Sequence, residues 1–173
     1  MQIDYAIFLR GVNVNGIKIL SKDLIDCLSK LNVSNIRVIM QTGNVVLSSE
    51  LPEDDLKRHI EDTLSKTFGY DANVLIYQLN KLKNIAERYP FMPREGYHSY
   101  LVFVQPGSMA ADIAKPELVD SKLEQIMTSD GIIFWQVVKG HTSDSSFAKE
   151  LYKPKYKEFL TTRNLQTVIK MLS

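Results

Sequence analysis

A chain of 173 residues, 45% of them hydrophobic, is long enough for one ordinary domain or for two small ones packed together. Acidic and basic residues nearly balance, leaving a formal net charge of +1, so attraction to nucleic acid or to a membrane has to be local if it occurs at all. There is no charged leader followed by an apolar segment, and no run approaches the roughly 20 apolar residues that span a bilayer, which points away from a membrane and toward the cytoplasm.

Residues 3–9 read as a buried strand. Ser21 then fits the cap of a helix whose Leu24, Ile25, Leu28 and Leu31 share one face. Cys27 lies on that helix and is the only cysteine, which excludes an internal disulfide and a cysteine metal cluster and favours a buried, inert thiol. Residues 33–40 and 44–47 read as two strands, with Gln41-Thr42-Gly43-Asn44 turning between them. Leu56, Ile60 and Leu64 mark a second amphipathic helix, and residues 74–77 a further strand. The order β-α-β-β-α-β is the split βαβ, or ferredoxin-like, pattern.

A connecting helix carrying Leu82, Ile85 and Tyr89, with Asn80 near its start, is halted by Pro90 and Pro93. The domain organisation expected is therefore a ferredoxin-like domain over residues 1–78, a connector over 79–96, and a second domain with a C-terminal helix over 97–173. In that second half residues 98–104 read as a strand. Leu118, Val119, Leu123, Ile126 and Met127 are spaced as on a helix. Asp130-Gly131 turns into residues 132–138, the most strand-like run in the chain. Residues 145–152 read as a short helix. Leu165, Val168, Ile169 and Leu172 define a last one. One strand lacks a strong candidate, so the fold class expected is α+β, with two ferredoxin-like subdomains packed together and the second incomplete.

The first strand ends in Arg10-Gly11-Val12-Asn13-Val14-Asn15-Gly16. Glycines free the backbone and asparagines offer both donors and acceptors, so this is a shaped polar loop. Arg10 presents a planar fork of donors suited to carboxylate or phosphate. Together with Asn13, Asn15, Gln41 and Asn44 it forms the strongest candidate site. If the first and third strands are antiparallel, the end of one and the start of the other are expected at opposite ends of the sheet. A shared pocket then depends on how the loops fold back. The loop lacks the glycine spacing and the lysine-serine or lysine-threonine ending of a phosphate-binding or dinucleotide fingerprint.

A second candidate is Thr161-Thr162-Arg163-Asn164. With Thr162 as the cap of the last helix, Arg163 and Asn164 would occupy its first turn, where free amides and the helix dipole favour an anion. Lys139-Gly140-His141 follows the strongest strand, and Lys149, Lys153, Lys155 and Lys157 alternate with Tyr152 and Tyr156. Such a stretch is either a solvated charged face or a polyanion path with stacking surfaces. His59, His98 and His141 form no compact ligand motif, so no metal is expected and no other cofactor is indicated. No Gly-x-Ser-x-Gly elbow is present.

The first loop with Lys18 and Leu24 after it, the Gln41-Thr42-Gly43-Asn44-Val45-Val46 stretch and the Thr161-Thr162-Arg163-Asn164 stretch together resemble a bacterial member of domain-of-unknown-function family 1697, over nearly the whole chain. The family often carries Gly-Gly where this chain has Asn15-Gly16, and an aromatic where it has Leu165. The resemblance implies an α+β architecture of two ferredoxin-like parts and brings no activity, cofactor or catalytic residue with it. The leading functional expectation is a binding protein for an anionic ligand, with nucleotide and single-stranded nucleic acid as candidates, contacted by Arg10 and Arg163 and oriented by Asn13, Gln41, Asn44 and Asn164. One alternative is an enzyme acting on a small phosphorylated or carboxylated metabolite, with Lys139 or His141 exchanging a proton. The other is a protein-interaction module working through a sheet edge.

Overall fold

The computed structural model describes residues 1–12, 16–40 and 42–173. By mutual contact the chain divides into two compact units, one of Met1–Glu87 with Thr167–Ser173 and one of Arg88–Gln166.

In the first unit the strands β1 (Ile3–Arg10), β2 (Val33–Val38), β3 (Asn44–Ser49) and β4 (Asn73–Gln78) form a sheet of order β2-β3-β1-β4, antiparallel throughout. This is the ferredoxin-like order, produced by two crossovers, each carrying a helix across one face. Those helices are α1 (Ser21–Leu28) and α2 (Glu53–Phe68). Period-2 alternation sends Tyr5, Ile7, Leu9, Val45, Leu47, Val74 and Ile76 to the helix side, where they meet Leu24, Cys27, Leu28, Leu56, Ile60 and Leu64 in one core. Cys27 is 1% exposed. The opposite face carries Ala6, Phe8 and Val46, also buried. Helix α3 (Leu79–Glu87), which follows β4 directly, packs on β1 and β4.

The second unit repeats the plan with β5 (Tyr97–Val104), β6 (Glu124–Ser129), β7 (Ile132–Val138) and β8 (Leu160–Asn164) in the order β6-β7-β5-β8, again antiparallel. Helix α4 (Ser146–Leu151) places Phe147, Ala148 and Leu151 against Val102, Trp135 and Val137. On the other face Leu101, Phe103 and Phe134 are buried. There Tyr89 meets the Phe134 ring edge-on at 5.6 Å and donates to the Trp135 carbonyl at 2.7 Å.

Two sequence expectations are corrected here. Leu118, Val119, Leu123, Ile126 and Met127 lie on no α-helix: Pro116–Leu118 is a single 3-10 turn and Glu124–Ser129 is strand β6. Asp130 and Gly131 both have positive φ, 49° and 76°, as in the tight hairpin turn that joins two paired strands, so residues before that turn pair with β7. The strand thought missing is β8, so the second strand set is complete and the absent element is the first crossover helix. β-branched Thr161 and Thr162 extend the chain there, and the last helix, α5 (Leu165–Leu172), starts after Asn164. The Asn164 Oδ1 accepts from the Gln166 amide at 2.9 Å, the bond an N-cap makes. Thr162 is not the cap, and Arg163 is not in a helical turn.

Candidate functional site

Antiparallel pairing brings the end of β1 beside the start of β3, the reverse of the expectation drawn from the sequence. Phe8 pairs with Asn44, and the Leu9 amide donates to the Gly43 carbonyl at 2.9 Å. The two polar motifs of the first half therefore adjoin. Arg10 closes β1 opposite Asn73 and is half-buried. Asn44 is 6% exposed. Its Nδ2 donates to the Ile39 carbonyl at 3.3 Å while its own carbonyl accepts from the Ile39 amide at 2.9 Å. Asn44 thus clamps the β2-β3 hairpin. Asn13, Asn15 and Gln41 lie outside the described residues.

Beside this junction opens a cavity of about 630 Å³ lined by residues 16–21 and Thr42. Gly16, at φ +82°, turns the chain where a Cβ would be strained. Ile19, 2% exposed, anchors the loop in the core, which leaves Lys18 and Leu20 to face solvent. Helix α1 begins on the cavity wall. Its N-cap is Leu20, whose side chain makes no capping bond, so the first amides of the helix carry no side-chain acceptor from that position. A lysine, the hydroxyls of Ser21 and Thr42, and an apolar-capped helix start share one hollow with Ile17 and Ile19. Donors outnumber acidic groups there: Asp23 is the acidic residue of the first turn.

The second unit holds the remaining candidates. Arg163 is opposite Leu101 and Asn164 opposite Tyr100, so the two neighbours point to opposite faces of the sheet. Arg163 donates to the Thr162 carbonyl at 3.0 Å. Lys139 is exposed, and its amide donates to the Gly96 carbonyl at 2.8 Å. The His141 Nδ1 lies 3.0 Å from an Asp144 carboxylate oxygen. Arg10 belongs to the first unit and Lys139, Arg163 and Asn164 to the second.

A hollow of about 830 Å³ in the second unit lies at the corresponding place, lined by residues 104–107 and 128–133 with Asp112 and Lys115 among its walls. It carries the carboxylates of Asp112 and Asp130, the latter paired with Arg88 at 2.7 Å.

Sequence reading missed Glu124. This carboxylate is 3% exposed. It accepts from the Trp135 Nε1 at 2.9 Å, the Ser145 hydroxyl at 2.6 Å and the Phe147 amide at 2.8 Å. It binds β6 to β7 and to the start of α4, and its signal was masked by the apparent helical spacing around it. Among the described residues no three His, Cys, Asp or Glu side chains are grouped to hold a metal ion, and no helix is long and apolar enough to cross a membrane.

Fold and sites define a protein built of two α+β units of duplicated ferredoxin-like plan. The profile of the bacterial family described as "Protein of unknown function (DUF1697)" matches residues 2–134, and the chain belongs to that family. Its fold is similar to that of the conserved bacterial protein SP0830 from Streptococcus pneumoniae, with a TM-score of 0.78, 22% identity and coverage of 100% of both chains. An unknown protein from Galdieria sulphuraria aligns over 95% of this chain and 98% of its own at 10% identity, with a TM-score of 0.30. No curated protein matches the chain.

Proposed function

We propose that the protein binds a small anionic ligand, one bearing phosphate or carboxylate, in the cavity of the first unit, with nucleotides as the leading class. The observation that supports this reading is the hollow of about 630 Å³ at which the loop after β1 and Thr42 of the second motif meet. Its size falls within the roughly 300–1,000 Å³ of small-molecule sites. Lys18 supplies a positive charge, Ser21 and Thr42 supply hydroxyl donors, and the start of α1 adds amides and the positive end of its dipole. Ile17, Ile19 and Leu20 give the apolar wall that a base or other ring would need.

Native mass spectrometry of freshly purified protein, followed by thermal-shift titration with inorganic pyrophosphate, a nucleoside monophosphate and a dicarboxylate, tests the reading. A retained mass or a concentration-dependent stabilisation is expected in the wild type, with affinity lowered about tenfold in Lys18→Ala by loss of a charge-assisted contact. An empty wild type indifferent to all three compounds, or binding unchanged in both Lys18→Ala and Arg10→Ala, overturns it.

A further inference from the structure

The second unit carries a continuous row of four rings. On the helix side of its sheet, His98 lies 5.9 Å from Tyr100, Tyr100 lies 5.2 Å from Trp135 with planes 31° apart, and Trp135 lies 5.5 Å from Phe147. Trp135 and Phe147 are fully buried while His98 and Tyr100 are half-buried, so the row is fixed at its inner end and reaches the surface at its outer one. Tyr152, which closes α4, is 52% exposed. It ends the helix whose Phe147 meets Trp135, so it stands at the close of the element that carries the inner end of the row.

Two exposed cations stand on or directly after the elements that carry these rings. Lys139 lies two residues beyond Val137, the register partner of His98, and Lys149 stands in the last turn of α4. Both are exposed, and neither forms an ion pair among the described residues. Asn164, the register partner of Tyr100, lines the same face. Lys153, by contrast, is engaged by Glu150.

We infer that this rim binds a single-stranded polynucleotide, with bases stacked on His98, Tyr100 and Tyr152 and phosphates met by Lys139 and Lys149. Rings that reach the surface accept any base, and lysines on or directly after the same elements track the backbone, a combination that favours a polynucleotide over a peptide or an uncharged sugar. Ferredoxin-like sheets that read RNA across the face opposite their helices do so with open aromatics. Here that face presents Leu101, Phe103 and Phe134, all buried, so the rim on the helix side is the available platform. The inference goes beyond the ligand cavity of the first unit and uses none of its residues, so either reading can fail alone.

Fluorescence anisotropy with labelled oligo-dT and oligo-U of about twelve nucleotides, titrated with the full chain across a series of NaCl concentrations, tests it. Binding that weakens with salt is expected. Tyr152→Ala should lower affinity about tenfold while Tyr152→Phe retains it, and Lys139→Ala and Lys149→Ala should each flatten the salt slope by about 0.7. Because Tyr152 is half-exposed, loss of fold is checked by near-ultraviolet circular dichroism of the Trp135 cluster. No binding at low salt overturns the proposal. So does binding that Tyr152→Ala leaves unchanged, which would mark polyanion attraction alone, or binding abolished by Lys18→Ala and untouched by the three rim variants, which would assign the oligonucleotide to the first cavity.

Discussion

Superposing the two units by strand register shows one plan carried out in two ways. Phe8 pairs with Asn44 as Phe103 pairs with Ile132. The bond from Leu9 to Gly43 at 2.9 Å recurs from Val104 to Gly131 at 3.1 Å, and a helix follows the fourth strand at once in both. The difference lies in the first crossover. In the first unit α1 brings Leu24, Cys27 and Leu28 to the core. In the second, the path from β5 to β6 has no α-helix, and Ala110 and Ile113 fill the corresponding core. A helix satisfies its own backbone, whereas an irregular path needs polar anchors. The register position of Val33 in the first unit is held in the second by Glu124, the former opposite Ser49 and the latter opposite Val137. The Glu124 carboxylate takes donors from β7, from α4 and, at 3.5 Å, from the Asp120 amide of the crossover itself. The comparison teaches that a buried acid can do the tethering that a packed helix does elsewhere.

The sharpest way to break that comparison is at those two positions. Glu124→Ala orphans buried donors on Trp135, Ser145 and the Phe147 amide, and should cost about 4 kcal/mol. Val33→Ala, at a half-buried strand position, should cost about 1 kcal/mol. Urea unfolding followed by the fluorescence of the single tryptophan measures the first, and far-ultraviolet circular dichroism the second. Similar losses at both sites would mean that Glu124 is no tether.

How much of this was legible follows from the same contrast. The first unit could be read because its helices carry clean apolar stripes and its strands clean alternation, and nothing competes with those periods. In the second, the apolar residues from Leu118 to Met127 fit a 3.6 spacing by accident of a turn followed by a strand. The Asp130-Gly131 turn demands a paired strand on each side, a constraint that outweighs the helical spacing before it. In Thr161-Thr162-Arg163-Asn164 the two threonines are both capping and β-branched residues, and tertiary pairing with β5 chose the strand. At the candidate site the motif residues were visible as a set, but Asn44 resembled a ligand group while its amide closes a hairpin. The cavity depends on an adjacency of strand ends that spacing alone does not reveal.

Buried phenols extend the comparison to alkaline pH. Burial, with a lesser push from Glu53, raises Tyr77 of the first unit to about 12, and burial raises Tyr89 of the second to about 12 as well. Both sit above the ordinary 10.0, so the folded state favours the neutral phenol. The stability this reflects is complete below pH 10 and is lost as pH rises toward 12. Tyrosinate absorbance should therefore rise in two phases, and Tyr77→Phe and Tyr89→Phe should each diminish the later one. Tyr89→Phe also gives up the bond to the Trp135 carbonyl and should cost about 1 kcal/mol at neutral pH. A single phase near pH 10 would mean that neither unit holds its phenol away from water.

The smallest effect concerns the hairpin that only the second unit closes with Asp-Gly. Hydrogen bonds from Arg88 and then Ser129, followed by the Arg88 charge, hold the Asp130 carboxyl below its usual 3.8. A depressed acid contributes above its unfolded value, and that contribution vanishes as pH falls through the folded one. The pair is exposed, at 48% for Arg88 and 74% for Asp130, so solvent and salt screen it heavily. Asp130→Asn should leave the melting temperature nearly unchanged at neutral pH in high salt and slightly lower it in low salt. It should also flatten the loss of stability on acidification below pH 4. The left-handed backbone at Asp130, φ 49°, is one that asparagine also tolerates, so the variant isolates charge from turn geometry. A large loss that salt does not alter would show that Asp130 serves the fold through the hydrogen bonds its carboxylate takes from Arg88 and Ser129 rather than through its charge, as Asn44 serves the first unit through its hairpin clamp.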